Sequence, residues 1–296
     1  MSEQHPGDHV TSARVEVRKT YKLYIGGAFP RSESGRSYPV SSPDGTLLAH
    51  AAQASRKDVR DAVRAARSAL PGWSGATAYN RGQVLYRVAE LLEGRRAQFA
   101  GEVAAAEGSK PARARDAVDA AIDRWVHYAG WTDKFAQVVG ATDPVAGPYF
   151  TFSLPEPTGV VGVLAPQDSS LLGLVSVVAP VLATGNTAVV IAAQDRPLPA
   201  VSLTEVLATS DVPGGVLNLL TGFTAELAPW LAAHRDVNAL DLTGAAPAAR
   251  AALRAAAADT VKRVHVPRAT DWAAAPDLSR LRAFTEVKTV WHPIGA

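Results

Sequence analysis

Between residues 160 and 266 the chain alternates between short apolar runs and longer segments with helical spacing. The runs Val160–Leu164, 188–191, 216–220, 239–242 and 261–266 are short enough for strands and too short for independent helices. Segments near 170–183, 199–208, 225–234 and 247–257 carry the helical pattern between them. Strand-then-helix repetition predicts an α/β fold, because parallel neighbours need a crossover and the crossover helices cover both faces of the sheet. With 296 residues, 47% of them hydrophobic, the chain can bury one large core or two modest ones.

The first half reads differently. Residues 1–20 are polar and aperiodic and predict a flexible lead-in. Residues 21–29 alternate like a strand that breaks at Gly26-Gly27, and Ser42-Pro-Asp-Gly45 signals a turn. Ser55 reads as the N-cap of a helix running to Leu70, with Val59, Ala62, Val63 and Ala66 on its buried face and Pro71-Gly-Trp-Ser74 ending it. A second helix is predicted over 79–99 and a third from Pro111, favourably placed in a first turn, to about Lys134. Prolines and a glycine then lead into Tyr149-Phe-Thr-Phe-Ser153, a β-like run.

Several function classes are disfavoured. A net charge of +2, from 30 basic and 28 acidic residues, gives no field suited to nucleic acid or an anionic membrane. The chain has no cysteine, hence no disulfide, thiolate metal site or thiol catalysis. The N-terminus lacks a basic region followed by an apolar run, and the apolar stretch 171–183 is too short to span a bilayer. A cytoplasmic protein is the expectation.

An ordered set of short signatures runs through the chain: Leu23-Tyr-Ile-Gly-Gly27, Trp73, Glu107-Gly-Ser-Lys-Pro111, Tyr128-Ala-Gly-Trp131, Glu156-Pro157, Pro166, Gly185-Asn-Thr187, Pro213-Gly-Gly-Val216, Asn218, Gly222, His234 and Thr243-Gly244. In this order and spacing they resemble the cofactor-binding half of the aldehyde dehydrogenase superfamily. Phe284-Thr-Glu-Val-Lys-Thr-Val-Trp291 resembles that family's C-terminal strand. The resemblance implies a Rossmann-like domain over 21–140 and 157–266, oligomerisation strands at 141–156 and 284–296, and a linker at 267–283 where full-length members carry a catalytic domain. It also implies that the small antiparallel sheet docks on the catalytic domain of a neighbouring subunit.

The chemistry the resemblance implies is eroded. The family nucleophile is a cysteine, and here there is none. The family's glutamate base falls where this chain reads Pro267-Arg-Ala-Thr270. Pro166-Gln167-Asp168 aligns with the segment whose asparagine stabilises the oxyanion, so Asp168 places a carboxylate where a donor is needed. Ile191 and Gln194 align with the lysine and glutamate that hold the adenine ribose. The pyrophosphate cradle, Thr-Gly-Ser in the family, reads Thr243-Gly244-Ala245, and a later helix glycine aligns with Ala249. Pro166, Asp168, Ile191, Gln194, Thr243, Gly244 and Ala245 are therefore positions of a degenerate pocket, with no catalytic residue, no metal site, and no or weak binding of NAD(P) expected.

Simpler roles are expected for the remaining polar and aromatic residues. Ser169 and Ser170 read as helix caps, and His127 and His234 as packing or capping residues. Glu102, Glu107 and Asp116 read as helix-surface charges, and Trp125, Trp131, Trp230 and Trp291 as core or interface residues. Lys288 reads as an edge-strand lysine that blocks unwanted pairing. The expected function is a non-catalytic structural or regulatory subunit that binds a full-length aldehyde dehydrogenase homologue through 141–156 and 284–296. Two further readings stay open: a nucleotide- or metabolite-binding module, and NAD(P)-dependent aldehyde oxidation only as part of a complex.

Overall fold

The computed structural model describes residues 19–267 and 270–295. The predicted flexible lead-in lies outside the described residues up to position 18; its end, Thr20, pairs with His50. The chain begins with β1 (Thr20–Tyr21), β2 (Ser37–Ser41) and β3 (Leu47–Ala52), a small sheet in which β3 is central. The strand expected over 21–29 is shorter than predicted. Gly26 and Gly27 take positive φ and fold Ile25 back onto Ala28, while Tyr24 bridges to Leu219.

Four long helices follow: α1 (Arg56–Gly75), α2 (Ala78–Gly94), α3 (Arg96–Glu107) and α4 (Pro111–Trp131), then the short α5 (Phe135–Val139). Ser55 caps α1 as expected, within a capping box completed by Asp58. Two helix ends differ from the sequence reading. α1 continues through Pro71, because Trp73 is buried and its indole N–H donates to the Leu182 carbonyl at 3.0 Å, holding the last turn in helical geometry. The helix predicted over 79–99 is two helices that break at Arg95, whose guanidinium reaches Glu205 at 2.8 Å.

After β4 (Ala141–Thr142) and β5 (Tyr149–Pro157) the alternating region unfolds as predicted. It comprises β6 (Val160–Leu164), α6 (Leu172–Ala183), β7 (Thr187–Ile191), α7 (Leu198–Ala208), β8 (Leu217–Leu220), α8 (Thr224–Ala233), β9 (Ala239–Asp241), α9 (Arg250–Ala258) and β10 (Arg263–His265). A 3₁₀ turn at Pro247–Ala249 precedes α9. The five strands form one parallel sheet in the order β10-β9-β6-β7-β8. Alternate side chains serve opposite layers. Val161, Val163, Ala188 and Val190 pack with α2, α4, α6 and α7. Val160, Leu164, Val189 and Ile191 pack with α1, α8 and α9. Gly162 allows the close approach of α8, since a Cβ there would lie 2.8–3.0 Å from Leu240 and Leu231.

The chain ends with α10 (Ser279–Ala283) and β11 (Thr285–Pro293). β11 pairs antiparallel with β5 along its whole length, Thr285 opposite Pro157 through Pro293 opposite Tyr149, and β4 covers only the middle of the opposite edge, at Phe152 and Ser153. Part of the segment expected to be a linker is packed: Leu281 is in the core, with Trp272, Leu278 and Ala283 against it, and just beyond the segment the Phe284 carbonyl accepts from the Asn186 side chain at 2.9 Å. Among the described residues, no helix is long and apolar enough to cross a membrane.

Candidate functional site

The parallel sheet reverses its strand order on either side of β6, with α6 covering one face and α9 the other. In open α/β sheets the carboxyl ends of the strands at such a reversal form a crevice. A cavity of about 870 Å³ lies there, framed by Pro166 and Asp168 after β6, Gln194 after β7 and the 243–249 loop after β9. Six of the seven predicted pocket residues, Pro166, Asp168, Gln194, Thr243, Gly244 and Ala245, line it. Ile191 does not. As the last residue of β7 its side chain falls on the α1/α8 face of the sheet and is wholly buried in that core.

Asp168 and Gln194 are committed to local contacts. The Asp168 carboxylate accepts from the Trp272 indole N–H at 3.2 and 3.3 Å, and its carbonyl accepts from Arg196 at 3.1 Å. The carboxylate feared at an oxyanion position is thereby tied to an indole from the 267–283 segment. The Gln194 backbone N–H donates to Gln167, and its carbonyl accepts from Tyr38. Burial pushes the Tyr38 hydroxyl pKa well up, so Tyr38 stays a donor at neutral pH.

The 243–249 loop is turned inward. Thr243 N–H donates to Asp241 at 2.9 Å, Gly244 N–H to Leu164 O at 2.9 Å and Ala245 N–H to Leu242 O at 3.0 Å. The Thr243 hydroxyl also bonds Asp241. Gly244 is required here, because any Cβ would collide with the Ala165 carbonyl. Pro247 then removes one N–H, and Ala249 N–H is spent on Ala246 O. Among the described lining residues Arg250 is the only cation; its side chain donates to the Ala245 carbonyl, and Asp168 and Asp195 line the same cavity. A dinucleotide pyrophosphate needs free N–H donors and positive potential. Four N–H groups of this loop are spent within the protein and the one cation shares the cavity with two carboxylates, so these residues are a poor fit to the nicotinamide dinucleotide that the fold implies.

Beside this cavity sits a pair that the sequence reading missed. Asp241, wholly buried, accepts from Arg280 at 3.0 Å; Arg280 itself is nearly buried and lies 5.7 Å from the Trp272 ring. His265, opposite Asp241 in the sheet register, has its pKa lowered by burial, with Asp241 opposing and Arg280 reinforcing the shift. The available signal was an acidic residue inside the apolar strand Ala239–Asp241, since buried charges require partners.

The other singled-out residues fall as follows. Ser169 Oγ accepts from Gly173 N–H at 2.9 Å, a first-turn cap on α6. Ser170 instead donates both its N–H and its hydroxyl to Glu107 at 2.7 Å, so Glu107 is a tether between α3 and this loop, not a plain surface charge. His127 stacks edge-on against Tyr128 in α4, and His234 ends α8, where its ring accepts from Asp236 N–H. Trp125 is core, while Trp230 is half exposed beneath the Arg56 guanidinium at 4.2 Å. Lys288 pairs with Glu156 at 3.1 Å across β11 and β5. Among the described residues, no group of three or more His, Asp or Glu side chains is placed to hold a metal ion.

Comparison with known proteins adds to this geometry. The model of the aldehyde dehydrogenase family matches residues 29–267. Aldehyde dehydrogenase family 2 member B4, mitochondrial, of Arabidopsis thaliana is 35% identical over 267 residues, which are 87% of this chain and 48% of that protein. Putative aldehyde dehydrogenase DhaS of Bacillus subtilis (strain 168) is 33% identical over 253 residues, 84% of this chain and 50% of that protein. Among solved structures, the NAD+ complex of aldehyde dehydrogenase from Bacillus cereus superposes with a TM-score of 0.78 at 28% identity, over 83% of this chain and 50% of that one. The chain thus spans about half the length of the relatives it matches.

Proposed function

The chain belongs to the aldehyde dehydrogenase family, and from that premise we propose that it is a non-catalytic subunit docking on a full-length family member through β5 and β11. The observation that carries this reading is the state of the antiparallel ribbon. Val287 and Trp291 on one face are 69% and 58% exposed, and Phe150 and Leu154 on the other face are exposed as well. Among the described residues no strand pairs with the outer edge of β11 over its nine residues. Long apolar edges of this kind invite strand addition, and a partner's sheet supplies the missing hydrogen bonds. The absence of any cysteine, and Pro267 at the aligned position of the base, support the non-catalytic half of the reading.

Size-exclusion chromatography of this chain mixed with a full-length aldehyde dehydrogenase from the same host tests it. A stoichiometric complex is expected, and it is lost when Val287 and Trp291 are both replaced by lysine. An unchanged complex in that double variant refutes the docking surface. Aldehyde oxidation by the purified single chain refutes the non-catalytic assignment.

One observation favours a second reading, a metabolite-binding module. Thr224 lines the 870 Å³ cavity, and its hydroxyl is buried without a protein partner. Calorimetric titration with NAD+ distinguishes the two. Saturable heat supports the module, and a flat trace leaves docking as the function.

A further inference from the structure

Arg124 presents an imbalance that the proposed docking does not use. It projects from α4 and is only 8% exposed, yet no carboxylate of the described residues pairs with it. One of its terminal nitrogens donates to the carbonyls of Trp272 and Ala274, at 2.9 and 3.0 Å. Buried guanidinium groups are nearly always neutralised, because removing the charge from water is costly. The neighbouring cation makes matters worse. Burial is the main force lowering the Arg124 pKa, and Arg280 adds to it, while Tyr128 is the only group that opposes.

Arg124 lines a cavity of about 440 Å³ that adjoins the larger crevice and shares Pro267, Thr270 and Trp272 with it. Its inner wall is Arg124, Tyr128, Ser176, His265 and Arg280. The carboxylates in reach are already engaged. Asp241 is bound by Arg280 and Thr243. Asp271 accepts from Ala273 N–H, and Asp277, at the rim, accepts from the Ser279 N–H and hydroxyl. Burial keeps His265 neutral near pH 7. The inner wall therefore holds two guanidinium groups against one buried carboxylate, while Asp271 and Asp277 place two carboxylates at the exposed rim. Pro267, Ala275 and Pro276 give the cavity an apolar part.

We infer that this cavity is a binding site for a small organic carboxylate, held by the Arg124 guanidinium with Arg280 adding positive potential. A planar carboxylate matches the fork of guanidinium N–H donors, and a short apolar tail matches the proline and alanine side. The volume lies within the range of small-ligand pockets, about 300–1,000 Å³. The site is independent of the docking ribbon, so each proposal stands or falls alone.

Saturation-transfer NMR on the full chain tests the site, with sodium acetate as probe, acetamide as its neutral counterpart and inorganic phosphate as competitor at matched ionic strength. Acetate gives a saturable methyl signal, and acetamide gives none. Arg124→Met weakens acetate binding by roughly thirtyfold or more, the effect of truncating one side of a buried charge pair. Because Arg124 also holds two loop carbonyls, a second variant is needed at an exposed lining position that holds no loop. Ala275→Glu, on the exposed mouth of the cavity, weakens acetate binding at low salt, and the loss shrinks as salt screens the added charge. Equal signals for acetate and acetamide, or undiminished acetate binding in both variants, overturn the site. Phosphate displacing acetate at lower concentration than acetate itself binds overturns the assignment to a carboxylate.

Discussion

The two larger sheets solve opposite problems. Every residue of β6 and β7 is buried, and helices close both faces of the parallel sheet. In the β5/β11 ribbon most residues of β11 are exposed, and apolar side chains stand in water on both faces. The ion pairs repeat the contrast. Arg280–Asp241 is enclosed behind the parallel sheet, whereas Arg263–Glu286, at 2.7 Å, links β10 to the base of the ribbon in solvent. The first sheet is stable by its own burial. The second has the pairing of a sheet without the covering layer, and two long strands alone are marginal in water.

The enclosed pair offers the largest test of this contrast. Arg280→Met leaves Asp241 buried and unpaired, and urea unfolding is expected to show a loss of about 3–5 kcal/mol. Adding Asp241→Leu to it recovers much of that loss. A single-variant loss below about 1 kcal/mol would place Asp241 in contact with water and weaken the contrast between the two regions. Next in size, Gly162→Ala forces a methyl group against Leu231 and Leu240 and costs about 1–3 kcal/mol in the same assay.

A pH dependence of stability sharpens the picture further. Burial lowers the pKa of His265 first of all, with Arg280 adding to the shift and Asp241 opposing it. The unfolded chain therefore takes up a proton more readily than the folded one. Stability is full above the unfolded histidine value of about 6.5 and is lost as pH falls through the lower folded value. His127 and His234 shift in the same direction, also chiefly through burial. His265→Gln should flatten the acid side of the stability profile without abolishing its slope; an unchanged profile would remove His265 from the account. Smallest of all, Arg263→Ala breaks only the exposed pair and should change unfolding free energy by about 0–1 kcal/mol, an effect that vanishes in high salt.

Much of the fold could be read from residue order. The five strands of the parallel sheet fall within a residue or two of their predicted places, because alternation of apolar runs with helical spacing is a local signal. The errors came where distant contacts overrode local rules. Pro71 reads as a helix end, but the burial of Trp73 against Leu182 carries α1 past it. Residues 79–99 read as one helix, but Arg95 turns out toward Glu205 and splits it. For the larger crevice, the aligned positions led to six lining residues, yet chemistry at those positions depends on where N–H groups and carboxylates point. Trp272 over Asp168, and a loop whose donors face inward, lie beyond any motif.

The sequence by itself determined the family pattern, the parallel sheet and the lack of a thiol nucleophile, since these rest on residue type and spacing along the chain. Only the tertiary structure decided that Leu281 packs into the core with Trp272 and Leu278 against it, that Asp241 is answered by Arg280, and that Arg124 is buried without a carboxylate among the described residues. The physical reason is range. Periodicity is set by neighbours a few positions apart, whereas the cost of a buried charge is set by partners brought close from anywhere in the chain, here 39 positions away for Arg280 and Asp241.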